Sequence, residues 1–237
     1  MTDIENINII SSYLQRRDVE NLNDCKVDVL VLFGGSILLG ADIFADAIIH
    51  QVCRTSVIVG GYGHTTDDFI KSVNELYPYL EIEGCSEAEI FDRYIFHKYG
   101  IHADYLECES LNCGSNITNL LELLEKNHIS FSSIGLIHDG SMQQRIDATL
   151  RKYAPDKKII NYCSYQVSLN SDFTFSKDLW SMWTLEHYLQ LHISEISRLK
   201  IDGYGPKGKN YIARVDIPDK VLEAYDELKE KYKDYIR

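Results

Sequence analysis

The segment Val27 to Phe33 reads V-D-V-L-V-L-F and is stopped at once by Gly34-Gly35. A near-continuous apolar run bounded by glycine suits a strand buried on both faces, as in a parallel sheet covered by helices on either side. The pattern recurs along the chain. Ser56-Val-Ile-Val59 is cut by Gly60, Gly61 and Gly63, and shorter strands are predicted over 105–107, 133–138 and 158–162. Between them lie segments of helical period. A helix is expected over 42–53, with Ile43, Ala47 and Ile48 on one side, and another over 86–99, opened by the capping box Ser86-x-x-Glu89. Ile117, Leu120, Leu121 and Leu124 mark a third over 114–127, and Met142, Ile146, Leu150 and Tyr153 a fourth over 141–153. Alternating strands and helices predict an α/β, doubly wound, mainly parallel sheet of about five strands.

After about residue 165 the texture changes. A loop rich in Ser, Asn and Asp leads to a helical region over 177–199, then the glycine loop Asp202-Gly-Tyr-Gly-Pro-Lys-Gly-Lys209, then a helix over 218–236. The expected division is a sheet domain over 1–165 and a helical C-terminal subdomain over 166–237, within the size range of one large or two unequal domains.

Charge narrows the partners. Twenty-four basic against thirty-six acidic residues leave a net charge of −12, which argues against a broad nucleic-acid footprint. No stretch approaches the roughly 18 apolar residues of a membrane span, and residues 1–17 lack the basic flank and apolar core of a signal peptide. The six cysteines are scattered without a C-x-x-C pair, so reduced thiols are expected and no metal site. These readings give a cytoplasmic protein with a small-molecule partner.

In an open α/β sheet, ligands bind beyond the carboxyl ends of the strands. The glycine and polar clusters of this chain fall at those ends. Strand one delivers Gly34-Gly35-Ser36, strand two Gly60-Gly61-Tyr62-Gly63-His64-Thr65-Thr66, strand three Glu107 to Asn112, and strand four His138-Asp139-Gly140-Ser141. Glycines allow close backbone approach, and the helix N-termini that follow offer N–H groups for an anion. The competing explanation, that any tight turn needs glycine and a cap, weakens when four clusters meet on one edge.

Individual residues carry alternatives. His64 is either a ligand contact, able to titrate near neutrality, or a solvated residue leading into a helix. Glu87 sits in a first helical turn, where a carboxylate is favourable regardless of function, and Glu89 is the capping-box partner. Asn112 and Asn116 lie one turn apart and serve a ligand or a cap. Asp139 with Ser141 reads equally as an N-cap pair, and His138 equally as a catalytic or a structural histidine. Arg145 is a candidate anion clamp unless it only pairs with surface acids, and Met142 reads as core. Ser110, His64 and Asp139 hint at a hydrolase triad, but there is no G-x-S-x-G elbow. A P-loop and a G-x-G-x-x-G turn are also missing.

Taken in order, the clusters resemble the YdcF branch of the SanA/ElyC/YdcF family, whose shared domain has no assigned function. The matching segments are Gly60-Gly-Tyr-Gly-His-Thr-Thr66, Gly84-Cys-Ser-Glu-Ala88, Glu107-x-x-Ser-x-Asn-Cys-Gly-x-Asn116, Asp139-Gly-Ser-Met-Gln-Gln-Arg145, Asp202-Gly-Tyr-Gly-Pro-Lys-Gly208 and Val215-Asp-Ile-Pro218. The resemblance implies a Rossmann-like sheet domain with a helical addition, and a cleft with which S-adenosylmethionine has been associated. It implies ligand contacts at Gly61, Gly63, His64, Glu87, Ser110, Asn112, Asn116, Asp139 and Arg145, to which the position of the first turn adds Gly34 and Gly35. Ser115 stands where many relatives carry Glu, and His138 where close ones carry Gln. The expectation is therefore a binder of a nucleotide-like molecule, either an enzyme or a non-catalytic sensor using the same cleft.

Overall fold

In the computed structural model, which describes residues 1–35, 37–63, 65–177 and 184–233, five strands form one all-parallel sheet. They are β1 (Val27–Phe33), β2 (Cys53–Val59), β3 (Tyr105–Glu107), β4 (Ser133–Ile137) and β5 (Lys158–Asn161). Their order is β3-β2-β1-β4-β5. The chain steps outward from β1 to β3, then crosses back to the other side of β1 for β4 and β5. In register, Val29 of β1 stands between Thr55 of β2 and Ile134 of β4. This is the α/β, doubly wound, Rossmann-like sheet expected from the sequence.

Strand β1 shows why its apolar run had to be continuous. Leu30 and Leu32 join one core, with Ile58 of β2 and with Ala41 and Phe44 of α2 (Leu39–Ile49). That core is completed by Phe69 of α3 (Thr66–Leu76) and by Ile90, Phe91 and Tyr94 of α4 (Glu87–Tyr99). Val29, Val31 and Phe33 point the other way, into a core with Ile117 and Leu120 of α5 (Cys113–Lys126) and Ile146 and Leu150 of α6 (Gln143–Tyr153). The period of two along a strand sends alternate residues to opposite faces, and both faces are covered.

A third core lies outside the sheet. Ile7, Ile10 and Leu14 of α1 (Asp3–Leu14) pack with Tyr188, Ile193 and Ile196 of α7 (Leu185–Leu199) and with Val221 and Leu228 of α8 (Asp219–Lys229). A boundary at residue 165 leaves α1 with the sheet domain, yet its apolar face belongs to the helical layer. Thr2 and Glu5 close a capping box at its start, a signature present in the sequence.

Several element bounds differ from the sequence reading. The helix expected over 42–53 is α2, which ends at Ile49; Gln51 takes a left-handed φ of 55°, and Cys53 already belongs to β2. The left-handed turn reverses the chain so that Cys53 pairs with Val27. Helix α3 is an addition to the sequence reading. Helix α7 starts later than 177, with Thr184 accepting from His187 N as its cap, while 178–183 of the predicted helix lie outside the described residues. Helix α8 ends at Lys229, and 234–236 of its predicted extent also lie outside them. Among the described residues no helix is long and apolar enough to cross a membrane, and the six cysteines are free thiols.

Candidate functional site

At the carboxyl edge of the sheet, where the strand order reverses between β1 and β4, lies a cavity of about 340 Å³. Gly34, Gly35, Gly61, Gly63, Glu87, Ser110, Asn112, Asn116, Asp139 and Arg145 all line it. His64 and Ser36 lie outside the described residues.

The floor is built from the ends of β1, β2 and β3. Gly60 N donates to Glu107 O at 2.9 Å and Gly61 N to Ser110 O at 3.0 Å, continuing the ladder past the strands. Two carboxyl groups press against the end of β1. A Cβ on Gly34 would lie 2.4 Å from Glu87 Oε2, and one on Gly35 would lie 2.8 Å from Asp139 Oδ2. A side chain at either position would push the carboxyl group aside, so the Gly34-Gly35 pair leaves room for carboxylates at the edge of the sheet.

Glu87 is the first residue of α4. Its Oε1 accepts from Thr66 Oγ1 at 3.0 Å and, more distantly, from Thr65 Oγ1 at 3.5 Å, and no described cation pairs with it. Burial pushes its pKa up to about 7, with the two threonine bonds opposing. A helix N-terminus favours a carboxylate by at most about 2 kcal/mol. Desolvation wins here, so Glu87 exchanges a proton near neutrality, a property its place in the sequence does not reveal.

The N–H groups expected to hold an anion are already spent at two of the helices. Glu87 N and Ala88 N of α4 donate to Gly61 O and Gly60 O, at 3.1 and 2.9 Å. At α5, Asn112 Oδ1 accepts from Gly114 N and Ser115 N, at 2.9 and 3.1 Å. Asn112 is thus a cap as well as a cavity residue. Ser115 Oγ accepts in return from Leu111 N and Asn112 N, at 2.9 and 3.1 Å. Ser115 plays the part a glutamate has in such a box, and it does not line the cavity.

Other predicted residues keep polar atoms in reserve. Ser110 is buried, and its Oγ has no partner among the described residues. Asn116 is buried on α5 and its side-chain amide makes no hydrogen bond to the described protein. Asp139 O receives Met142 N and Gln143 N, at 2.9 and 3.0 Å, turning the chain into α6.

Arg145 reaches a buried acid, not the surface ones its sequence context suggested. Its Nε donates to Glu195 Oε1 at 2.5 Å and its Nη2 to Glu195 Oε2 at 3.1 Å, with a further contact to Met142 Sδ at 2.9 Å. Met142, read as core, lines the cavity.

The sequence reading missed the wall opposite β1. His187, Gln190, Leu191, Ser194 and Arg198 of α7 line the cavity, as does Tyr204. They recur at helical spacing beside the apolar stripe of Tyr188, Ile193 and Ile196, and that polar stripe was the available signal. His138 was weighed as either a catalytic or a structural residue. It is buried against Phe33, neither ring nitrogen has a partner among the described residues, and it lines the cavity. Burial, reinforced by Arg145, lowers its pKa to about 3, so it is a neutral donor and acceptor.

The glycine loop over 202–209, which carries Lys207 and Lys209, folds back onto the end of α7, with Gly203 N donating to Lys200 O at 2.9 Å and Tyr204 N to Arg198 O at 2.8 Å. Lys207 and Lys209 do not line the cavity; Lys209 Nζ lies over the Tyr204 ring, 5.1 Å from its centroid. Among the described residues no group of three or more His, Cys, Asp or Glu is placed to hold a metal ion. No family model matches the chain.

Proposed function

We propose that this chain binds a nucleotide-like small molecule in the cavity at the β1–β4 reversal, with S-adenosylmethionine as the candidate, and that it belongs with the YdcF-like proteins it resembles. The observation that supports this most is a cavity at the strand-order reversal lined by buried polar groups without partners among the described residues, Ser110 Oγ and both nitrogens of His138. Each such group costs about 1–3 kcal/mol when left unmade, and a polar ligand offsets that cost. The volume of about 340 Å³ falls in the ~300–1,000 Å³ range of small-molecule pockets.

The residues fit a molecule of this kind. Glu87 and Asp139 can receive hydroxyl or amino groups, His138 and Asn116 can each donate and accept, and Leu111, Leu191 and Tyr204 offer apolar surface to a ring. S-adenosylmethionine, when bound, supplies an electrophilic methyl group; the protein's part is to orient the ligand and, through Glu87, to take or give a proton. A cytoplasmic location and a small-molecule partner in preference to nucleic acid accompany this reading, in keeping with the net charge of −12.

Calorimetric titration with S-adenosylmethionine and with adenosine, followed by mass spectrometry of the mixture after incubation with a metabolite pool, tests the proposal. Saturable heat with either compound is the expected result, and loss of the methyl group identifies an enzyme. Binding with the ligand recovered intact identifies a sensor. No heat with either compound overturns the reading.

A further inference from the structure

We infer that Arg145 and Arg198, held together by the buried Glu195, form an anion subsite in this cavity that receives a carboxylate or phosphate group of the ligand. The inference rests on the cavity being a small-molecule site and names the chemistry of one end of its ligand. Three observations carry it.

The first is charge balance. Glu195 is 1% exposed and accepts from both arginines, bidentate from Arg145 and at 3.2 Å from Arg198 Nη1. One carboxylate neutralises one guanidinium, so the cluster keeps a net positive charge. The two arginine side chains are only 14% and 19% exposed. Glu87 lines the same cavity but forms no ion pair with either arginine. An incompletely neutralised buried cation is unfavourable, and an arriving anion relieves it.

The second is the donor inventory. Arg145 spends Nε and Nη2 on Glu195 and keeps Nη1; Arg198 spends Nη1 on Ser194 Oγ and Glu195 and keeps Nε and Nη2. None of the retained donors has a partner among the described residues. Bonding to Glu195 fixes both planar guanidinium groups in advance, which lowers the entropy lost on binding.

The third is polarity across the cavity. The carboxyl groups of Glu87 and Asp139 lie against Gly34 and Gly35 at the end of β1, whereas the arginines stand on α6 and α7. The N-termini of α4 and α5 are satisfied internally, so an anion at that part of the wall is left to side-chain donors. A ligand with hydroxyl or amino groups at one end and an oxyanion at the other matches this arrangement. A second cavity of about 410 Å³ shares Arg145 and Tyr204 with the first, so Arg145 is part of the wall between them.

Two matched pairs of probes test the subsite: adenosine against adenosine 5′-monophosphate for phosphate, and decarboxylated S-adenosylmethionine against S-adenosylmethionine for carboxylate. Each is titrated into the wild type, Arg198→Ala and Arg198→Lys, with a thermal melt of every variant. In the wild type the anionic member of at least one pair binds about 10- to 100-fold more tightly, as one or two charge-assisted hydrogen bonds require. That advantage falls below about threefold in Arg198→Ala, while the affinity of the neutral member changes little and the variant, though less stable, still melts cooperatively; Arg198→Lys restores part of the advantage.

The inference is overturned if the wild type binds adenosine yet favours neither anionic partner, or if Arg198→Ala leaves the advantage intact. Should no nucleoside compound bind, the nucleotide reading fails. The subsite then stands only if inorganic phosphate or acetate raises the melting temperature of the wild type and not of Arg198→Ala, and falls if neither does.

Discussion

Glu87 combines three local causes: a glycine at 34 that makes room for its carboxyl, two threonine hydroxyls that bond it, and burial that holds its pKa near 7. The sign of its effect on stability follows. Between the ordinary glutamate value of 4.5 and about 7, the unfolded chain has released the proton that the folded chain keeps, so stability falls as pH rises through that window. Glu87→Gln removes the titration. The variant gains on the wild type by up to roughly 3 kcal/mol between pH 4.5 and 7. Urea melts across pH 4.5 to 8 read this, and parallel stability curves for the two proteins contradict it. Arg145 and Asn116 contrast in the same way at a single position each. Asn116 spends no side-chain hydrogen bond on the described residues, so Asn116→Ala stays within about 0.5 kcal/mol of the wild type. Arg145→Ala takes one partner from the buried Glu195 and costs about 3 kcal/mol, moderated by the remaining Arg198. Chemical denaturation of the two variants side by side measures the difference.

At the scale of elements, the strands were legible because burial on both faces leaves nearly uninterrupted apolar runs such as 27–33, and glycine ends them sharply. Helix α4 was legible through its capping box and α5 through its apolar stripe. Helix α1 was overlooked although Thr2 and Glu5 mark its capping box; what no local pattern announces is that its apolar face packs on α7 and α8, near the other end of the chain. The polar stripe of α7 was missed for a related reason. Polar residues at helical spacing read as a solvated face, and only the packing of α7 beside the sheet edge turns that stripe into a cavity wall. The convergence of Gly34, Glu87, Ser110, Asp139 and Arg145 was legible because strand ends in a parallel sheet share one edge. Two expected outcomes belong here. Ile10→Ala, in α1, destabilises the protein by about 2–5 kcal/mol, as in a central core, and loss of less than 1 kcal/mol in a denaturant titration would detach α1 from the helical layer. Replacing Lys207 and Lys209 together by alanine changes ligand affinity less than twofold at low and high salt, because neither lysine lines the cavity.

At the scale of the whole molecule, the sheet and the helical layer meet at the site. β1, β2, β3 and β4 bring glycines, carboxylates and the neutral His138 to one edge, and α7 brings Arg198 and Ser194 across from them. Helices α1 and α8 hold α7 from behind through Ile7, Ile10, Val221 and Leu228. The helical layer thus supplies a wall that a bare Rossmann-like sheet lacks. The measurement that tests this account most directly is hydrogen exchange of the backbone with and without saturating S-adenosylmethionine. The account predicts slower exchange in the segments around Gly61, Ser110 to Asn116, Asp139 to Arg145 and His187 to Arg198, with the amino ends of the strands near Val27, Cys53 and Ser133 unchanged. Protection confined to those amino ends, or no protection anywhere under conditions where calorimetry shows binding, would contradict it.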